Sequence, residues 1–68
     1  MQKMTLRAAR VNAGYEQKKA AELLGITPKT LSYWESGKRF PTVDFVLKIC
    51  ELYHARFDDI IFLPEETA

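Results

Sequence analysis

Lys29, Ser32, Tyr33 and Ser36 stand at i, i+3, i+4 and i+7, the spacing that aligns side chains on one face of a helix. Together they offer a cation, two hydroxyls and an aromatic ring, with no carboxylate among them. Such groups hydrogen-bond to or pack on base edges and phosphates, and a helix bearing them fits a major groove about 12 Å wide. The competing reading is a solvated helix face, but faces of that kind ordinarily carry Glu or Asp. No comparable set supports catalysis. The chain has one histidine, His54, and one cysteine, Cys50, and its three glycines are scattered rather than gathered in a phosphate loop. His54 has no Cys or His at ligand spacing, so neither a metal nor a cofactor is expected.

A helix from about Pro28 to Ser36 must position the stripe, held from behind by Ile26, Leu31 and Trp34. Thr27 suits the N-cap, and Pro28 suits the first helical position, where its ring presets φ and its missing N–H would lack a partner anyway. Gly14, Gly25 and Gly37 each follow a stretch of helical apolar spacing, as left-handed helix stops do. The pattern predicts a first helix to about Ala13, capped by Thr5, with Leu6, Ala9, Arg10 and Ala13 on one stripe. A second, over Gln17 to Leu24, buries Ala20, Ala21 and Leu24. Thr42 caps a fourth, with Asp44 in its first turn and a stripe of Val43, Val46, Ile49, Cys50 and Tyr53. A short fifth helix is expected between Asp58 and Pro64. Strand and hairpin patterns are not seen in the sequence. The expected fold class is all-α: a compact five-helix bundle in a single domain over 1–68, with a helix-turn-helix at about 17–36.

At 68 residues, with 47% apolar and 28% charged, the chain suits one small globular domain. A domain of this size has little room for a deep substrate cavity, so surface recognition is favoured over enzyme activity. One cysteine allows no internal disulfide, and no targeting or membrane-spanning run is apparent, so a cytoplasmic location is expected. The formal net charge of +1 is unevenly spread. Residues 1–43 carry eight Lys and Arg against three Glu, whereas residues 44–68 carry two against six acidic residues. A polyanion facing the first half would account for this split, and so would chance.

The run Arg10, Gly14-Tyr15-Glu16-Gln17, Ala20-Ala21, Leu24-Gly25-Ile26-Thr27, Leu31-Ser32, Trp34-Glu35-Ser36-Gly37-Lys38 and Pro41 resembles the Cro/C1-type, or XRE, helix-turn-helix family. The match continues through Val43, Ile49-Cys50 and Asp58-Asp59-Ile60-Ile61. The resemblance implies a lambda-repressor-like bundle and a sequence-specific transcriptional regulator of phage, prophage or bacterial type, reading double-stranded DNA with residues 28–36. It places Gln17, Pro28, Lys29, Ser32 and Tyr33 at bases, with Gln17 at the backbone or an outer base. Ser36, Lys38 and Arg39 fall in a loop that grips phosphates. Lys18 and Lys19 are either phosphate contacts or simply solvated. Arg10, sharing a stripe with Leu6 and Ala13, is partly desolvated and requires a partner. The family supplies Glu35 for a structural salt bridge, with phosphate contact as a secondary role for the arginine.

Some positions depart from the family pattern. Glu16 replaces the usual N-cap, His54 stands where a glycine is common, Leu23 takes a typically polar position, and Cys50 is read as packing. One recognition helix covers few base pairs, so a homodimer on a palindromic operator is expected, with Phe62 and Leu63 as candidate contacts and Ile60 and Ile61 closing the core. No effector domain is apparent, and regulation is expected through concentration, proteolysis or a partner. The alternative to a DNA reader is a protein-interaction module, such as an antirepressor partner or antitoxin subunit, on the same bundle.

Overall fold

Hydroxyl chemistry sets three of the four helix starts. The N–H of Ala8 donates to Thr5 Oγ1 at 3.1 Å, that of Thr30 to Thr27 Oγ1 at 3.2 Å, and that of Phe45 to Thr42 Oγ1 at 3.5 Å. The computed structural model describes residues 3–62. Its elements are β1 (Met4–Thr5), α1 (Leu6–Asn12), α2 (Gln17–Leu24), α3 (Pro28–Ser36), α4 (Val43–Tyr53), a 3₁₀ turn (Phe57–Asp59) and β2 (Ile60–Ile61). Glu16 precedes α2 without a side-chain cap, leaving the first-turn N–H groups there unserved. Pro28 opens α3 as its ring geometry dictates.

Leu6, Ala9, Ala20, Ala21, Leu24, Leu31, Trp34, Ile49, Tyr53 and Ile60 form one buried cluster where the four helices meet. Small residues at 20 and 21 let α2 lie close on its neighbours, while Trp34 closes the core edge with its ring 5.2 Å from that of Phe45. Across the bundle, the Tyr15 and Tyr53 rings lie 6.2 Å apart. No helix among the described residues is long and apolar enough to cross a membrane.

Three expectations are corrected. Among the described residues there are four α-helices rather than five: over 57–61 stand the 3₁₀ turn and β2, which pairs in parallel with β1, Met4 opposite Ile60 and Thr5 opposite Ile61. Two adjacent β-branched residues favour extended backbone, and here they find main-chain partners at the far end of the chain. The strand alternation sends Ile60 into the core, whereas Ile61 stays 39% exposed and does not close it. On α4 the expected stripe holds at Ile49, Cys50 and Tyr53 but fails at Val43. Phe45, Ile49 and Tyr53 turn inward, which leaves Val43 about 120° round the helix and 73% exposed.

Candidate nucleic-acid interface

The α2–α3 unit is built around Gly25. Its φ of 78° is left-handed, a conformation that glycine adopts without the Cβ conflict other residues meet, and the chain reverses there within three residues. Ile26 N–H then returns to the Ala21 carbonyl at 2.9 Å, closing the end of α2. Thr27 caps α3 and also lies 3.0 Å from the Thr30 hydroxyl. Leu31 and Trp34 anchor α3 in the core, and that anchoring determines what the helix presents outward.

Pro28, Lys29, Ser32 and Ser36 are exposed on that outer side, and Tyr33 is half-buried. The Tyr33 ring centres a cationic cluster, with Lys29 Nζ 5.8 Å and Arg39 Cζ 5.5 Å from its centroid. The N–H groups of Lys38 and Arg39 both donate to the Tyr33 carbonyl, at 3.0 and 3.4 Å. Arg39 is thereby folded back beside α3. Ser36 Oγ donates to the same carbonyl at 3.2 Å, so its hydroxyl proton is engaged within the chain. Lys18 and Lys19 are exposed at the uncapped start of α2, and Lys19 Nζ lies 3.6 Å from Glu22 Oε1 in a solvated pair.

Glu35 is the one carboxylate of α3, and it faces inward. Arg10 Nε donates to Glu35 Oε2 at 2.7 Å and Nη2 to Oε1 at 3.4 Å, with both side chains more than nine-tenths buried. A third arginine donor, Nη1, reaches the Tyr15 carbonyl at 2.9 Å. Gln17 Nε2 donates to Glu35 Oε1 at 3.1 Å. A single carboxylate thus ties α1, the start of α2 and the end of α3 together, and the Gln17 amide keeps one N–H and its carbonyl free of that bond. Neither the Gln17–Glu35 bond nor the Tyr15 carbonyl contact was evident in the sequence, because both depend on the angle between α1, α2 and α3.

Burial pushes the Tyr53 hydroxyl up to about 12, and the nearby Glu35 charge adds to the shift. That hydroxyl is buried without a hydrogen-bond partner among the described residues. Burial likewise raises the Cys50 thiol. Arg7, Arg10, Gln17, Ser32, Glu35 and Ser36 line a cavity of about 370 Å³ between α1, α2 and α3. Arg7 is the member that the sequence reading missed. Its position, three residues before Arg10 on a helix, is the signal that would have found it.

Among the remaining site residues, Phe62 is half-buried with its ring stacked 5.8 Å from that of Phe57, and Leu63 lies outside the described residues. Among the described residues, no group of three or more His, Cys, Asp or Glu side chains could hold a metal ion.

The helix-turn-helix family model matches residues 6–60, from the first residue of α1 to the first of β2. The chain belongs to this family, in its Cro/C1 or XRE branch. Among relatives of this helix-turn-helix chain, YgzD of Bacillus subtilis (strain 168), an uncharacterized HTH-type transcriptional regulator, is 33% identical over 65 residues, covering 96% of this chain and 98% of the relative. The HTH-type transcriptional regulator ImmR of the same organism is 43% identical over 56 residues, which is 82% of this chain but only 44% of ImmR. An uncharacterized HTH-type transcriptional regulator of Archaeoglobus fulgidus is 28% identical over 61 residues, covering 90% of this chain and 87% of the relative.

Proposed function

We propose that this chain is a sequence-specific transcriptional regulator that reads duplex DNA by laying α3 in the major groove. One observation carries the reading: the outer face of α3 presents no carboxylate, because Glu35 is turned inward and neutralised by Arg10. A phosphate-lined groove would repel an exposed glutamate there, and its absence leaves Pro28, Lys29, Ser32 and Tyr33 as the groups nearest base edges. Lys29 donates to guanine O6 and N7, Ser32 bonds several edges, and Tyr33 packs on a thymine methyl or reaches a phosphate. Gln17 contributes its remaining N–H and carbonyl at the rim. Lys18, Lys19, Lys38 and Arg39 take phosphates, as does Ser36 once its hydroxyl turns from the Tyr33 carbonyl, with Arg10 as a secondary donor, and a phosphate at the start of α2 offsets the unfavourable placement of two lysines there.

The regulator acts in the cytoplasm as a homodimer on a palindromic operator, with half-sites about 34 Å apart. Phe62, stacked on the exposed Phe57, remains a candidate self-contact with Leu63. Exposed apolar side chains on α4, Val43 and Leu47 at 73% and 63%, with Phe40 just before the helix, favour that face for the second copy.

Selecting bound sequences from random duplex DNA tests this reading, with a palindrome expected. Lys29→Ala and Tyr33→Ala should each weaken binding to the selected site by about 1–3 kcal/mol with the fold intact. If both variants bind it like the parent, α3 is not the reader.

A further inference from the structure

We propose that Arg7 supplies the net charge of a phosphate seat between α1, α2 and α3, an inference that rests on the DNA-binding reading above. The six residues lining the cavity include two cations and one carboxylate. Arg10 and Glu35 cancel one another, their charged groups 2.7 Å apart and both side chains nearly excluded from water. The field that an anion meets in the cavity therefore comes from Arg7, which is exposed and has no ion-pair partner among the described residues. Arg10 supplies direction instead. Of its five N–H donors, three are committed to Glu35 and Tyr15, which leaves one on each Nη uncommitted among the described residues. The free N–H of Gln17 borders the same space. A donor set held by a neutral pair, with one exposed guanidinium at its edge, matches a phosphodiester oxygen pair, since a guanidinium takes two such oxygens at once.

This divides the labour differently from the sequence reading, which gave the phosphate to Arg10 and did not consider Arg7. It also separates the two arginines experimentally: Arg7 can be removed without disturbing the buried pair.

The test measures affinity for a random-sequence duplex from 50 to 200 mM salt, where phosphate contacts dominate and no operator need be known. Losing one phosphate contact reduces the slope of log K against log salt by about 0.9, so across this range Arg7→Ala should lose roughly 3.5-fold less affinity than the parent. Arg7→Lys, which keeps the charge, should keep most of the slope. Lys48→Ala removes an exposed cation that borders a different groove, between α2 and α4, and should leave the slope unchanged. Circular dichroism of each variant confirms the fold. A parental slope in Arg7→Ala overturns the seat while leaving the DNA reading standing, as does an equal reduction in Lys48→Ala, which would reflect overall charge alone. A parent without salt-dependent duplex binding overturns both.

Discussion

Removing the Glu35 carboxylate by Glu35→Ala should destabilise this fold far more than loss of a surface glutamate. The two side chains of the pair are 8% and 7% exposed, and the carboxylate accepts from Arg10 Nε, Arg10 Nη2 and Gln17 Nε2. Its loss leaves a buried guanidinium held only by the Tyr15 carbonyl. Breaking a buried pair from one side costs about 3–5 kcal/mol, against about 0–1 for an exposed pair. A domain of this length has a total stability of roughly 3–10 kcal/mol, so the variant should be close to half-unfolded or beyond at the weaker end of that range. Urea titration followed by circular dichroism, with the slope checked for constancy, gives the loss directly. Replacing both members, as Arg10→Met with Glu35→Leu, should recover much of it, because no unpaired charge then remains. A Glu35→Ala loss below about 1 kcal/mol would refute the reasoning and put the pair in the solvent-screened class.

Tyr53→Phe removes a buried hydroxyl without a partner and should be neutral or stabilising by about 1 kcal/mol at pH 7 by thermal denaturation. With the Tyr53 hydroxyl raised to about 12, the unfolded chain ionises it first, so parental stability should fall as pH rises from about 10 toward 12; the phenylalanine variant should lose less over that window. Gly25→Ala meets no atom within 4 Å, so its cost is the left-handed backbone alone, about 1–2 kcal/mol by urea titration; a much larger loss would mean a clash. His54 caps α4 at φ 54°, and His54→Gly should raise stability by about 1 kcal/mol, read as a higher melting temperature.

What could be read from the chain beforehand was local. Thr5, Thr27 and Thr42 act within one turn of themselves, as do Pro28 and the glycine stops, so the starts of α1, α3 and α4 and the ends of α2 and α3 follow from residue type. Phase was harder to read. Val43 and Phe45 are both apolar, and only contact with the rest of the core decides that Phe45 turns inward while Val43 stays exposed. The parallel pairing of Met4 with Ile60 was hidden for another reason: each partner is a two-residue segment too short to show a pattern, and the pair is far apart in sequence. For the site, the outer stripe of α3 was visible in its spacing, whereas Arg7 and the Gln17–Glu35 bond depend on how three helices cross.

The pairing of Met4–Thr5 with Ile60–Ile61 fixes an order of events in folding. Closing a loop this long costs more chain entropy than forming the α2–α3 hairpin, and two residues per strand return few hydrogen bonds for it. The clasp therefore closes late and opens early. A protease that cuts near either end should then report on fraying around Leu6 and Ile60 before it reports on global unfolding, with the span from Gln17 to Ser36 cut last.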